Sequence, residues 1–310
     1  MARLSADRRP SRGAFDDRGQ VLLVGAFGIA VLLLVFAGVL NTVTYTEALA
    51  TQGGDHRLDR DVVAFQQDAR HGVEDLLDRV NDGTGTYSTK AARLDRSVGN
   101  WNDAVARQYA ADVTGVTVTL VDSTNGSRIV QSAPAPLTNA NGTSNWTLAR
   151  SVTGTRGFLL ELNTTSLTSD ACGSGACYTV VVDDGTDTWT VSVNRSAVVV
   201  DGATPGTCAI SADPVTIDVT GGTVDGQPCS PLQFADGVSS PYTISFRNGE
   251  NATGTYRLSV ETSDVPGDDY AATGPTVSQI VYDASVRVTY RTPQLTYANV
   301  LRVEGGELDV

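Results

Sequence analysis

Four cysteines, two histidines, the aspartate pairs Asp183-Asp184 and Asp268-Asp269 and six Asn-x-Ser/Thr triplets are the side chains of this chain whose types and spacing could do chemistry. Cys172, Cys177, Cys208 and Cys229 all lie in the second half. An even cysteine count is the pattern of a disulfide framework, and four cysteines allow three connectivities. The spacing favours Cys172 with Cys177, across a Gly-Ser-Gly-Ala loop, and Cys208 with Cys229 across an irregular segment. A zinc site needs closely spaced ligand pairs, and Cys208 and Cys229 supply none. Cys172-Gly173-Ser174 is superficially similar to a thiol-protease motif, but the only histidines, His56 and His71, precede it, and neither sits in a nucleophile motif. Asp183-Asp184 is followed by Gly185, and Asp268-Asp269 follows Pro266-Gly267, so both pairs read as turns. Asp183, Asp184 and Asp187 do not have the spacing of a calcium loop. The expectation is a protein without catalysis, metal or cofactor.

The triplets are the more informative set. Asn125, Asn141, Asn145, Asn163, Asn194 and Asn251 each open an N-glycosylation sequon, and all lie beyond residue 120. Sequons and paired cysteines both belong to an oxidising exterior, so something must carry residues 120–310 across a membrane.

Residues 21–40 (VLLVGAFGIAVLLLVFAGVL) meet that need, because no charge occurs from Gly19 to Thr46. Twenty residues at about 1.5 Å each span about 30 Å, the hydrocarbon thickness of a bilayer. Residues 1–18 hold five arginines against three aspartates, whereas the chain as a whole is at −13. Positive flanks stay inside, so the N-terminus is expected in the cytoplasm and the rest outside. The acidity also argues against a nucleic-acid partner, which would need a basic face. Ala48-Leu49-Ala50 offers a small-x-small cleavage site, which leaves open a signal removed there or an uncut signal anchor.

Arg18-Gly19-Gln20-Val21, a basic residue and a glycine directly before the apolar run, resembles the class III signal of archaellins and type IV pilins, and Ala37-Gly38-Val39-Leu40-Asn41-Thr42 looks archaellin-like. The resemblance covers residues 18–45 and implies cutting after Gly19, with the helix kept for a filament core. Many pilins carry Glu five residues into the mature chain; here that position is Val24. Lys90 is the only lysine among 22 basic residues, and 28 of the 35 acidic residues are Asp, a bias similar to that of haloarchaeal proteins.

The elements beyond the span follow from periodicity. Val62, Phe65, Ala69, Val73, Leu76 and Val80 step by three and four, as do Leu94, Val98, Trp101, Val105 and Tyr109, which predicts two amphipathic helices. From Val116 onward apolar residues alternate, as in Val116/Val118/Leu120, Phe158/Leu160/Leu162 and Val286/Val288/Tyr290. Residues 131–145 and 262–276 read as exposed loops. The expected class is therefore α+β: a cytoplasmic tail (1–18), a transmembrane helix (19–44), a helical membrane-proximal region (45–115) forming a short hairpin, and an antiparallel sandwich or pilin-like β domain (116–310). The expected role is structural, as a pilin-like minor subunit or assembly partner of a type IV-like apparatus. Its expected partners are the lipid bilayer and pilin-like subunits or cell-envelope proteins. An anchored adhesin or envelope-binding module outside any filament is the alternative.

Overall fold

In a computed structural model, residues 60–111, 114–169, 171–172 and 175–305 are described. Internal contacts divide the chain into Met1–Val63 and Ala64–Val310. Of the first unit only residues 60–63 are described, as the first turn of a helix. The expected transmembrane helix and the signal-like segment lie outside the described residues.

The second unit corrects the expected α+β class. Among the described residues, antiparallel strands in two sheets, 44% of the chain, are accompanied by two α-helices, and no helix is long and apolar enough to cross a membrane. The helices form one covering layer on a β protein rather than half of a mixed fold.

Helix α1 covers residues 60–82 and α2 Tyr87–Ala110. On α1, Phe65, Ala69, Val73, Leu77 and Val80 are buried, so the apolar stripe passes through Leu77 and not Leu76. Burial of each such side chain contributes about 1.5–3 kcal/mol relative to exposure. The helices run antiparallel: Lys90 reaches the Asn81 carbonyl, Trp101 packs over Gly72, and the Phe65 and Tyr109 rings meet edge to face at 5.4 Å.

The large sheet has the order β10-β9-β8-β3-β12-β1-β13-β14. Its strands are β1 (Gly115–Pro136), β3 (Thr155–Leu162), β8 (Val215–Asp218), β9 (Thr223–Val224), β10 (Gln227–Pro228), β12 (Thr253–Val260), β13 (Thr276–Arg291) and β14 (Thr296–Glu304). The small sheet, β2-β11-β4-β5-β6-β7, uses β2 (Trp146–Val152), β4 (Tyr178–Asp183), β5 (Thr188–Val193), β6 (Ala197–Asp201), β7 (Gly206–Ala209) and β11 (Tyr242–Arg247). One apolar core joins the sheets, with Phe158, Leu160, Ile217 and Leu258 from the large sheet and Tyr178, Trp189, Ile244 and Phe246 from the small one. Phe234, in the connection from β10 to β11, closes this core at one end against Phe158, Trp189 and Tyr242.

That core takes Ile129 from β1 and nothing from β13 or β14. Val116, Val118, Val286, Val288, Tyr290, Leu301 and Val303 are buried in a second cluster, where Tyr290 meets Phe65 at 5.8 Å and Tyr109 at 6.3 Å. The two sides of the sandwich are closed differently. The Cys208–Cys229 disulfide links β7, an outer strand of the small sheet, to the end of β10, an outer strand of the large one. On the other side, the 262–275 segment covers β2: Arg150 N–H donates to the Asp264 carbonyl (2.9 Å) and the Tyr270 hydroxyl to the Leu148 carbonyl (2.6 Å). Neither expected loop is simply exposed, since β1 continues to Pro136 and Leu137 is fully buried.

Candidate functional site

The sheet registers place Pro136, Thr253, Leu162 and Val215 at one end of the large sheet, and Trp146, Arg247, Tyr178 and Val193 at the matching end of the small one. The sheets are tied there by Leu137 N–H, which donates to the Gly249 carbonyl at 2.9 Å, and by Gly249 N–H, which donates to the Ser144 carbonyl. Five of the six sequon asparagines, Asn141, Asn145, Asn163, Asn194 and Asn251, lie in the connections at this end. Asn125 lies within β1.

Carboxamides hold this tip together. Asn139, nearly buried, accepts at Oδ1 from the N–H groups of Asn141 (3.0 Å) and Thr143 (2.7 Å) and donates from Nδ2 to Asp269 Oδ1 (2.6 Å). Asn248 occupies the left-handed backbone region (φ 53°) and donates from Nδ2 to the carbonyls of Gly175 (3.0 Å) and Cys177 (2.8 Å). Asn251 Nδ2 donates to the Ala176 carbonyl (2.8 Å). Together they clamp the short loop that Cys172–Cys177 closes. A Cβ on Gly249 would stand 2.7 Å from the Leu137 carbonyl carbon, so only glycine permits this approach. Asn248 and Asn139 are structural residues that sequence reasoning missed. The Asn248-Gly249 pair, a turn signature, was the signal that could have found Asn248.

Of the three possible connectivities, the structure holds Cys172–Cys177 and Cys208–Cys229, with Cα separations of 5.2 and 5.9 Å. The aspartate pairs form turns. Asp184 accepts from the N–H groups of Thr186, Asp187 and Ser239, each at 2.8 Å, and the backbone donors of Asp187, Ser239 and Thr186 hold its carboxyl below the usual range. Asp183 accepts from Gly185 N–H and the Thr188 hydroxyl. Asp268 and Asp269 sit in a single 3₁₀ turn, remote from the first pair in the fold. His71 is exposed, 3.6 Å from Glu74; His56 and the processing residues Arg18, Gly19 and Gln20 lie outside the described residues.

The tip's carboxamides donate and accept hydrogen bonds, and its sequon asparagines are acceptors for modification. Its carboxamides neither ionise nor attack, and burial pushes the nearby Tyr178 and Tyr256 hydroxyls far above the tyrosine range. Among the described residues, no group of three or more His, Cys, Asp or Glu is placed to hold a metal. No protein-family model, curated protein or solved structure matches the chain. A shallow cavity of about 260 Å³ beside the tip is lined by Pro134, Glu161, Asn163, Asp213 and Thr253, and Asp213 is engaged with Thr164 N–H at 2.9 Å.

Proposed function

We propose that the chain is a single-pass, membrane-anchored structural protein of the cell surface, pilin-like, whose β-rich unit stands outside the membrane. Residues 21–40 supply the anchor, and Arg18-Gly19-Gln20 supplies the processing signal. The bilayer is its first partner, and pilin-like subunits or envelope proteins are the next. No catalysis, cofactor or nucleic acid is needed for this role.

The observation that carries the reading is the pairing of a charge-free apolar run behind a basic flank with a downstream unit containing two disulfides. Disulfides persist in oxidising compartments and are rare in the cytosol, so the β unit and the basic tail belong on opposite sides of a membrane. Charge agrees: residues 1–18 sum to +2 within a chain at −13, so the acidic excess lies beyond the apolar run.

The mass and N-terminus of the protein extracted from its own membranes test this. A chain beginning at Gln20 supports the pilin-like reading. Retention of residues 1–19 overturns the processing, and a soluble chain beginning at Thr51 overturns the anchor.

A further inference from the structure

The six sequons differ in what the fold has already done with the nitrogen that a glycan needs. We propose that Asn141, Asn145 and Asn163 carry N-linked glycans and that Asn125, Asn194 and Asn251 do not, so the tip of the sandwich is a glycan-covered end. This rests on the extracytoplasmic reading above. Transfer joins Asn Nδ2 to the anomeric carbon of a sugar chain carried on a lipid phosphate. The bond from that carbon to the phosphate oxygen breaks, the lipid phosphate leaves with the electron pair, and one Nδ2 proton passes to a base of the transferase. The acceptor must therefore offer Nδ2 to solvent and keep the hydroxyl two residues on within reach.

Three sites expose the asparagine, and none of their sequon hydroxyls, on Thr143, Thr147 and Thr165, belongs to a buried residue; that of Thr147 meets the Ser245 hydroxyl at 3.4 Å. Asn163 is exposed, and its Oδ1 accepts from Thr165 N–H (3.0 Å) and the Thr165 hydroxyl (2.6 Å), the hydroxyl of its own sequon. This turn commits the oxygen and leaves Nδ2 with no acceptor among the described residues. Asn145 is exposed and uses Oδ1 to accept from Asn248 N–H (2.9 Å), so a sugar on Nδ2 preserves the bond that holds the tip. Asn141 is exposed in a turn beside Gly142; its one Nδ2 contact, with the Asp268 carbonyl, is 3.2 Å and lies at the surface.

The other three are committed to the fold. The sequon hydroxyl of Asn125 belongs to Ser127, which is buried and donates to the Thr262 carbonyl (2.8 Å), and Gly126 between them has no room for even a Cβ beside Val260. Asn194 makes the same turn as Asn163, its Oδ1 accepting from Ser196 N–H, the Ser196 hydroxyl and Ala197 N–H, but its side chain is buried and so is withheld from a transferase. Asn251 aims Nδ2 inward at the Ala176 carbonyl, under the Cys172–Cys177 loop. The consequence is an asymmetry: sugar covers the end of the sandwich, and protein partners are left with the flanks.

Glycopeptide mass mapping of the full chain isolated from its own membranes tests the partition. The expected result is sugar on peptides bearing Asn141, Asn145 and Asn163 only. The combined variant Thr143→Ala, Thr147→Ala, Thr165→Ala should lose all glycan mass, while Ser127→Ala, Ser196→Ala, Thr253→Ala should keep all of it. Sugar on Asn125, Asn194 or Asn251 overturns the partition and leaves the extracytoplasmic reading standing. Six bare asparagines overturn the partition and remove the support that the sequons lend to that reading.

Discussion

The carboxamide of Asn81 closes both backbone hydrogen bonds of Val281: Oδ1 accepts from Val281 N–H and Nδ2 donates to the Val281 carbonyl, each at 2.9 Å. The strand β14 stops opposite Asp283, so β13 loses its neighbour just where Asn81 takes over. Asn81→Ala leaves two buried backbone groups unpaired, at about 1–3 kcal/mol each. The expected loss is about 2–6 kcal/mol in chemical denaturation, with Asn81→Asp close behind because a carboxylate cannot donate to the carbonyl. A loss below about 1 kcal/mol would show that water replaces the carboxamide.

Gly72 is where the Trp101 ring of α2 lies against the backbone of α1. A Cβ there would stand 2.5 Å from the Trp101 indole, so Gly72→Ala must push α1 from α2 although alanine is the better helix former. Overpacking of this kind costs about 1–3 kcal/mol. Thermal unfolding should show Gly72→Ala destabilised and Gly72→Ala with Trp101→Leu recovering part of the loss. Equal effects in the single and double variants would place the cause elsewhere.

The two disulfides should differ in worth. Cys208–Cys229 closes 21 residues and joins the edges of both sheets, while Cys172–Cys177 closes 5 within one loop. Chain-entropy reasoning gives about 3 kcal/mol for the first and about 2 kcal/mol for the second. Cys208→Ser with Cys229→Ser should therefore lower the melting temperature more than Cys172→Ser with Cys177→Ser. The reverse order would mean that the tip loop holds more of the fold than its length implies.

Asp78 sets a pH dependence. Its carboxyl is half-buried and pushed up to about 6, first by desolvation and then by Glu74, against the opposing pull of Arg128 and Arg156. A folded pKa above the unfolded one means that the folded state binds the proton more tightly, so the cost of the carboxylate is absent below the unfolded value and complete above about 6. Asp78→Asn should raise the melting temperature at pH 7.5 and leave it unchanged at pH 3.5. A gain of equal size at both values would rule out titration as the cause.

Strand and helix periodicity made much of this architecture legible. Phe158/Leu160/Leu162 and Val286/Val288/Tyr290 alternate because each strand shows one face to a core, and all six side chains are buried. Leu76 was mistaken for its neighbour Leu77 because steps of three and four both fit a helical stripe. The length of β1 was hidden by register shifts at Leu120/Asp122 and Thr124/Asn125, which interrupt the alternation in a polar stretch. The strand β14 went unnoticed because Ala298, Asn299 and Val300 are all exposed, and no period survives at such an edge. At the tip the sequons were plain in the sequence, but which nitrogens the fold consumes depends on partners distant in the chain, as in Asn251 and Ala176, 75 residues apart.

Lys90 is the only lysine of the chain, and it is sealed between the helices and the large sheet with its Nζ on the Asn81 carbonyl at 2.8 Å. Burial, and then the charge of Arg128, lowers its pKa. Apart from the α-amino group, the native surface therefore offers no primary amine to an acylating reagent. Every Lys90 acylated in solution is a molecule whose helix layer had opened. The residue is a built-in reporter that would let the rate of that opening be followed by mass alone, without adding a probe.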